Sequence, residues 1–241
     1  MEAQVAVAKV GKYATSESGD TVEVTERPRG GLSLVLADGQ RSGKGAKAIS
    51  NMVARKAISL LAEGVRDGAA ARATHDYLRT QRGGKVSSTL NIISVDMDSG
   101  TLVLSRNSHC PVVVINPDGI TLLDQPSEAI GIYAWTKPVI TELPLREDTY
   151  VIVFTDGVLN AGRRYGQHLD VPELVRNLLA SGVRAATSLA DAILQRSVEL
   201  DQGRPHDDIS VVVVAIVAGK DGDDVRRMAI SFPLPERWGI G

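Results

Sequence analysis

Cysteine is all but missing from this 241-residue sequence, where Cys110 stands alone. One thiol excludes an internal disulfide and any zinc cluster built on cysteine. Aromatic residues make up 4% of the chain, too few to suggest the stacking platforms on which single-stranded nucleic acid is held. Positive charge is not in excess either. The 27 Lys and Arg stand against 29 Asp and Glu, a formal net charge of −2, so no basic face is expected to attract a phosphate backbone. Nowhere do about 18 apolar residues follow one another, and the opening MEAQVAVAKVGKY has no long apolar stretch behind a basic start. The expectation is a cytoplasmic protein with no nucleic-acid partner, no membrane segment and no signal peptide.

What remains is an ordinary globular composition, 43% hydrophobic and 23% charged, enough to bury a full core. The length suits a single domain, placed at residues 1–218. Residues 219–241, with GKDGDD followed by VRRMAISFPLPERW, read as a polar linker and a short extended tail, either an extra edge strand or a partner contact. A monomer or weak dimer is expected. Runs rich in β-branched residues at 4–10, 21–26, 32–37, 86–96, 101–106, 111–116, 138–143, 149–155 and 209–217 predict strands. The turn sequences DMDSGT at 96–101 and NPDG at 116–119 predict hairpins, and with them antiparallel pairing.

Helical spacing is concentrated at 44–63, 68–81, 171–180 and 187–200. The first shows Ile49, Met52, Val53, Leu60 and Leu61 on one face, with Gly64 as a stop. The third shows Val171, Leu174, Val175, Leu178 and Leu179, with Asp170 as N-cap, Glu173 three residues on, and Gly182 as the end. The second is helical mainly through alanine and Leu78. Strands, two helices, many strands, two helices and a strand is not the alternation of a doubly wound fold. It predicts an α+β four-layer α-β-β-α sandwich: two mainly antiparallel sheets flanked by helix pairs.

Three acidic sites share a design. Asp38 in LVLADG and Asp156 in YVIVFTDG each end an apolar strand and precede glycine, while Asp207 in HDDISVVVV opens one. Any one of them could be a turn or helix cap. Three together suggest carboxylates converging at strand ends, an arrangement that repels itself unless hard cations such as Mg²⁺ or Mn²⁺ neutralise it. A glycine next to the acid lets its own backbone approach closely. The stretch ADGQRSGKGAK at 37–47 also invites a nucleotide-loop reading, but Gly39 to Gly43-Lys44 is too short and Gly45 stands where a Ser or Thr would hold Mg²⁺.

The ordered motifs SGD at 18–20, ADGQRSGKGAK at 37–47, SSTLNIISVD at 87–96, RNSHCPVVV at 106–114, AIGI at 129–132, VFTDGVLNA at 153–161 and DDISVVVV at 207–214 resemble the PP2C (PPM) superfamily of metal-dependent serine/threonine phosphatases. Within it they are similar to the bacterial SpoIIE-like branch, which includes the small stressosome phosphatase RsbX. The resemblance implies the α-β-β-α sandwich and a centre of two Mn²⁺ or Mg²⁺ ions. Asp38 would bridge both ions, the Gly39 carbonyl would bind one, Asp156 and Asp207 would complete the other, and Asp20 would act on the Gly39 side directly or through water. Asp38, Asp156 and Asp207 would then carry catalysis, with a water between the ions attacking phosphorus. Asp208 reads as a neighbour of the site or a strand-start turn residue. An RsbX-like role implies a phosphorylated signalling protein as substrate, a STAS-domain protein of a stressosome or partner-switching pathway.

Two positions depart from the pattern. Gln40 stands where larger relatives often have a histidine proposed as proton donor, and Arg41 where small relatives commonly have glycine. Arg41 could grip the substrate phosphate through a bidentate contact or be a solvated surface residue. Among the histidines, His109 fits a structural loop, His206 either a hydrogen bond to the metal site or a solvent-facing loop, and His75 and His168 the surface. Arg163 and Arg164 could meet an acidic phosphoprotein or simply be solvated. Cys110, between His109 and Pro111, reads as a small buried hydrophobe rather than a reactive thiol. Two rival functions stay open: a catalytically degenerate binding module of the same fold, and a hydrolase of small phosphate esters.

Overall fold

The computed structural model describes residues 1–219 and 225–233. Ten strands form two five-stranded antiparallel sheets. The first runs β1 (Glu2–Val10), β10 (Ile209–Val217), β9 (Thr149–Phe154), β6 (Val112–Asn116), β7 (Gly119–Leu123). The second runs β2 (Asp20–Glu26), β3 (Gly31–Gly39), β4 (Ser88–Asp96), β5 (Thr101–Asn107), β8 (Val139–Pro144). Helices α1 (Gly43–Ala62) and α2 (Asp67–Arg82) cover the second sheet. On the first lie α4 (Val171–Ala180) and α5 (Ala186–Leu200), with the single turn α3 (Asp156–Leu159) at the end of β9. This is the expected four-layer sandwich.

Strict side-chain alternation makes the layers. In β10, Val211, Val213 and Ala215 face the helices, while Val212, Val214 and Ile216 face the other sheet. In β3, Leu34 and Leu36 point between the sheets, and Val35 and Ala37 towards α1. Strands buried on both faces therefore read as continuous apolar runs rather than alternating ones. Three apolar layers result, and the strand ends between them are free to carry polar chemistry.

The predicted turns form. Asn116 Oδ1 accepts from the backbone N–H groups of Asp118 and Gly119, closing the β6–β7 hairpin; the outer strand β7, short and largely exposed, is absent from the sequence prediction. Asp170 Oδ1 accepts from Glu173 N at 2.9 Å, capping α4 as expected. His75 corrects the surface assignment. It lies on the buried face of α2, 3% exposed, with Nδ1 accepting from Gly131 N at 3.1 Å. Burial pushes its proton affinity down, so it is a neutral internal link between α2 and the loop before β8. Cys110 is buried, its thiol pushed up to about 12 by burial first and by Asp156, which makes it inert. Residues 225–233 are exposed and carry no strand, so the extra edge strand is not found there; the other tail residues, 220–224 and 234–241, lie outside the described residues.

Candidate metal centre

Four acid-bearing segments meet where the two sheets share an end. Asp20 begins β2 and sits directly opposite Asp38 in the β2–β3 register; Asp38 in turn pairs with Thr89, and Gly39 with Ser88. Like charges facing each other across a sheet destabilise it. Asp156 starts α3 immediately after β9, and Asp207 and Asp208 immediately precede β10.

The two sheets are tied together through Asp20. Its Oδ2 accepts from Ser210 Oγ at 2.6 Å and from Thr155 Oγ1 at 3.0 Å, both carried by the other sheet's strands or their ends. The Thr155 hydroxyl also accepts from Ser210 N. Lys9 and Lys47 both donate to the Asp20 carbonyl, at 2.8 and 2.7 Å. Asp20 Oδ1, by contrast, is buried without a hydrogen-bond donor among the described residues, and the Asp20 and Asp38 carboxyls lie close enough to share a proton. A buried carboxylate oxygen left unpaired is costly, and the position marks a place for a cation or a proton.

The electrostatics agree. Burial, followed by Asp20, Asp156 and Asp207, pushes the Asp38 carboxyl up to about 9. Burial likewise pushes Asp20 to about 6, against the pull of Ser210, Lys9 and Thr155. Asp156 is also raised, by burial and then by Asp207, while His109 opposes the shift. Asp38, Asp20, Asp156 and Asp207 are thus one field of mutually repelling acids. Among the described residues, no three His, Cys, Asp or Glu side chains are arranged to hold a cation as they stand. Any ligation by these carboxylates would require them to turn towards one another.

Not every acid is available. Both oxygens of Asp208 are engaged, Oδ1 by Lys12 N at 2.9 Å and Oδ2 by Gly19 N at 2.7 Å. Its task is to fasten the loop between β1 and β2. Among the described residues, Asp207 Oδ1 accepts only from the adjacent Asp208 N–H. Gly39 packs under α1 so tightly that a Cβ there would lie 2.1 Å from the Ala46 carbonyl oxygen. The backbone next to Asp38 is accordingly fixed against the first turn of α1, and Ser88 Oγ donates to the Asp38 carbonyl at 2.7 Å.

Other predicted residues sit around this cluster. Gln40 Oε1 accepts from Ser87 N at 3.2 Å. Arg41 is exposed and holds φ 75°, the left-handed conformation that favours glycine. His206 Nδ1 lies 3.2 Å from Asp201 Oδ1 but makes no hydrogen bond among the described residues, while the His206 backbone N–H donates to Asp201 Oδ2. His109 and His168 are exposed. The sequence reading missed Thr155, Ser210, Lys9 and Lys47. Thr155 was adjacent to a flagged acid and Ser210 was the one hydroxyl in an apolar strand, but their convergence on Asp20 depends on how the sheets pack. A cavity of about 320 Å³ adjoins the cluster at Asp207. A larger open groove of about 510 Å³, along Asn51, Met52, Arg55 and Tyr77 on α1 and α2, touches none of these acids.

Comparison with known proteins bears on the fold and the family. The PP2C phosphatase domain of SpoIIE from Bacillus subtilis, solved with a fragment of its regulatory domain, superposes with a TM-score of 0.75 at 20% identity, over 90% of this chain and 64% of that one. RsbX in complex with magnesium superposes at 0.67 and 14% identity, over 88% of this chain and 94% of that one. Protein IcfG of Synechocystis sp. is 28% identical over 148 residues, 60% of this chain; the match spans 23% of IcfG, under a quarter of its length. The solved structures establish the PP2C phosphatase fold. The family model for Stage II sporulation protein E matches residues 28–217, and the chain therefore belongs to the SpoIIE family.

Proposed function

We propose that the protein is a divalent-cation-dependent phosphatase acting on phosphoserine or phosphothreonine in a protein. The carrying observation is the acid cluster itself: Asp38 held near 9 by burial and three other acids, opposite an Asp20 whose buried Oδ1 has no hydrogen-bond donor among the described residues. Lys9 partly offsets the charge of Asp20, but the main influences on Asp38, burial and the acids Asp20, Asp156 and Asp207, all raise it.

Asp38 would serve both of two Mn²⁺ or Mg²⁺ ions, with the Gly39 carbonyl on one side and Asp156 and Asp207 on the other. Asp20 would stand behind the Gly39 side, directly or through water. The ions would supply a water of low proton affinity as nucleophile and absorb charge on the phosphoryl group. The chain's own part is placement. Thr155 and Ser210 hold Asp20 against Asp38, Ser88 fixes the Asp38 backbone, and Asp208 pins the loop leading into β2. Gln40 is occupied by Ser87 and is not assigned as the leaving-group donor. Arg41, exposed beside the cluster, is the candidate grip on the phosphate. The resemblance to RsbX and the SpoIIE branch supports a STAS-domain protein as substrate.

Phosphate release from a synthetic phosphopeptide tests the reading. Activity should require Mn²⁺ or Mg²⁺ and vanish in Asp38→Ala and in Asp156→Ala; survival in both variants would sink the two-ion centre. Activity on para-nitrophenyl phosphate alone would favour a small-ester hydrolase, and silence with every cation tried would favour a binding module. Calorimetric titration of Mn²⁺ into wild type and Asp207→Ala tests the ligand set independently.

A further inference from the structure

We propose that the turn at Arg163–Tyr165 forms a subsite for a carboxylate side chain flanking the phosphorylated residue of a protein substrate. The inference rests on the phosphatase reading and specifies which substrates that site prefers. Its basis is the cavity beside Asp207, whose walls come from two segments far apart in sequence. One carries Gly157, Asn160, Arg163 and Arg164, the other Asp201, His206 and Asp207.

The cavity is built, not incidental. Asp201 is buried, and its two oxygens fasten both walls: Oδ1 accepts from Gly162 N at 2.9 Å, and Oδ2 from His206 N at 3.0 Å. Gly162 adopts φ 76°, and a Cβ there would press on Gln167 and Leu200 at 3.0 and 3.1 Å, so the turn needs glycine. Tyr165 N and Gln167 N both donate to the Gly162 carbonyl, closing a tight 3-10 turn. Tyr165 also sets its ring against His206, centroids 5.9 Å apart. A buried carboxylate and a glycine turn thus fix the backbone that carries two consecutive, exposed arginines.

Those arginines have nothing to do within the fold. Neither guanidinium makes an ion pair or a side-chain hydrogen bond among the described residues. The acids in the same cavity do not neutralise them: Asp201 is engaged by the backbone, and Asp207 belongs to the cluster that would face the cations. An anion entering here meets two guanidiniums suited to bidentate contact. Because the cavity shares Asp207 with the proposed centre, a substrate whose phosphoryl group lies on the centre would place a neighbouring side chain in it. The phosphoryl group belongs to the cations; the arginine wall is left for a second anion, which in a protein substrate is Asp or Glu.

The test compares two phosphopeptides that differ only in having Asp or Asn on either side of the phosphoserine, with para-nitrophenyl phosphate as a substrate lacking flanks. Wild type should prefer the acidic peptide through KM. In Arg163→Ala/Arg164→Ala that preference should collapse by ~10-fold or more, since charge-assisted contacts are lost, while kcat and turnover of para-nitrophenyl phosphate stay put. Arg163→Lys/Arg164→Lys should restore part of it. An unchanged acidic-to-neutral ratio in the alanine variant, or an equal loss on all three substrates, overturns the subsite. Should wild type hydrolyse no ester at all, the phosphatase reading fails, and binding of the same peptides made with non-hydrolysable phosphonates decides the subsite by the same ratio.

Discussion

Replacing Asp38 with asparagine separates the charge of the acid cluster from its shape. Without a cation, burial and the neighbouring acids hold the Asp38 carboxyl at about 9, against an ordinary value of 3.8. The folded chain therefore keeps a proton that the unfolded chain releases, and stability declines as pH climbs from 3.8 towards about 9. Asparagine has no such proton and escapes the decline. At about pH 7.5 the ceiling on the difference is ~5 kcal/mol, at ~1.4 kcal/mol for each unit above 3.8. Partial solvation and the freedom of the other acids to share the load reduce it, and ~1–3 kcal/mol is the expected gain, or ~2–10 °C in Tm for a chain of this size.

Thermal melts followed by circular dichroism in a chelator, at about pH 5, about pH 6.5 and about pH 8, read this directly. Asp38→Asn should melt above wild type, and its advantage should widen with pH. Saturating Mn²⁺ should reverse the order, because a cation at a hundred times its Kd adds ~2.7 kcal/mol to a chain that binds it, and the variant has lost the residue assigned to both ions. A variant that melts below wild type in chelator at about pH 8, or an advantage that shrinks as pH rises, would refute the description of these residues as one self-repelling cluster.

Three further outcomes are expected. Arg41→Gly should raise Tm by ~1–3 °C, because relief of ~1–2 kcal/mol of left-handed strain exceeds the ~0.5–1 kcal/mol of added chain entropy. The same change should raise KM for phosphate esters if the guanidinium holds the phosphate, and steady-state kinetics beside the melt separates the two effects. Gly39→Ala should cost ~1–3 kcal/mol in a urea titration, since its Cβ would lie 2.1 Å from the Ala46 carbonyl and α1 would have to shift; an unchanged midpoint would contradict that packing. Asp170→Ala should cost ~1 kcal/mol through loss of the α4 cap, with cation affinity by titration calorimetry untouched.

The layers were legible in the sequence because burial on both faces leaves little choice of residue. ISVVVVAIV at 209–217 and the run ending in Phe154 are apolar for that reason, and the structure divides each by alternation between two cores. What was not legible is the short, largely exposed strand β7 and the single turn α3. The edge strand β7 keeps only Ile120 and Leu123 in contact with apolar clusters. The four residues of α3 are too few for a period. His75 is a different failure. The buried positions Ala70, Ala71, Thr74, His75 and Leu78 of α2 form a helical stripe, but small and polar members hide it from any hydropathy pattern.

The site divides along the same line. Asp38, Asp156 and Asp207 were visible because each adjoins an apolar strand, and Asp20 only through the SGD motif of the family resemblance, whereas the hydroxyls on Asp20 come from Thr155 and Ser210, the latter 190 positions away, and depend on which sheet ends meet. The two departures at positions 40 and 41 part company in the structure. Gln40 makes no hydrogen bond to the acids among the described residues, and its Oε1 is held by the Ser87 backbone. Arg41 keeps a backbone conformation in which glycine would be relaxed. Its exposed side chain has no ion-pair partner among the described residues, so no contact within the fold offsets that strain; the proposed contact with the substrate phosphate would.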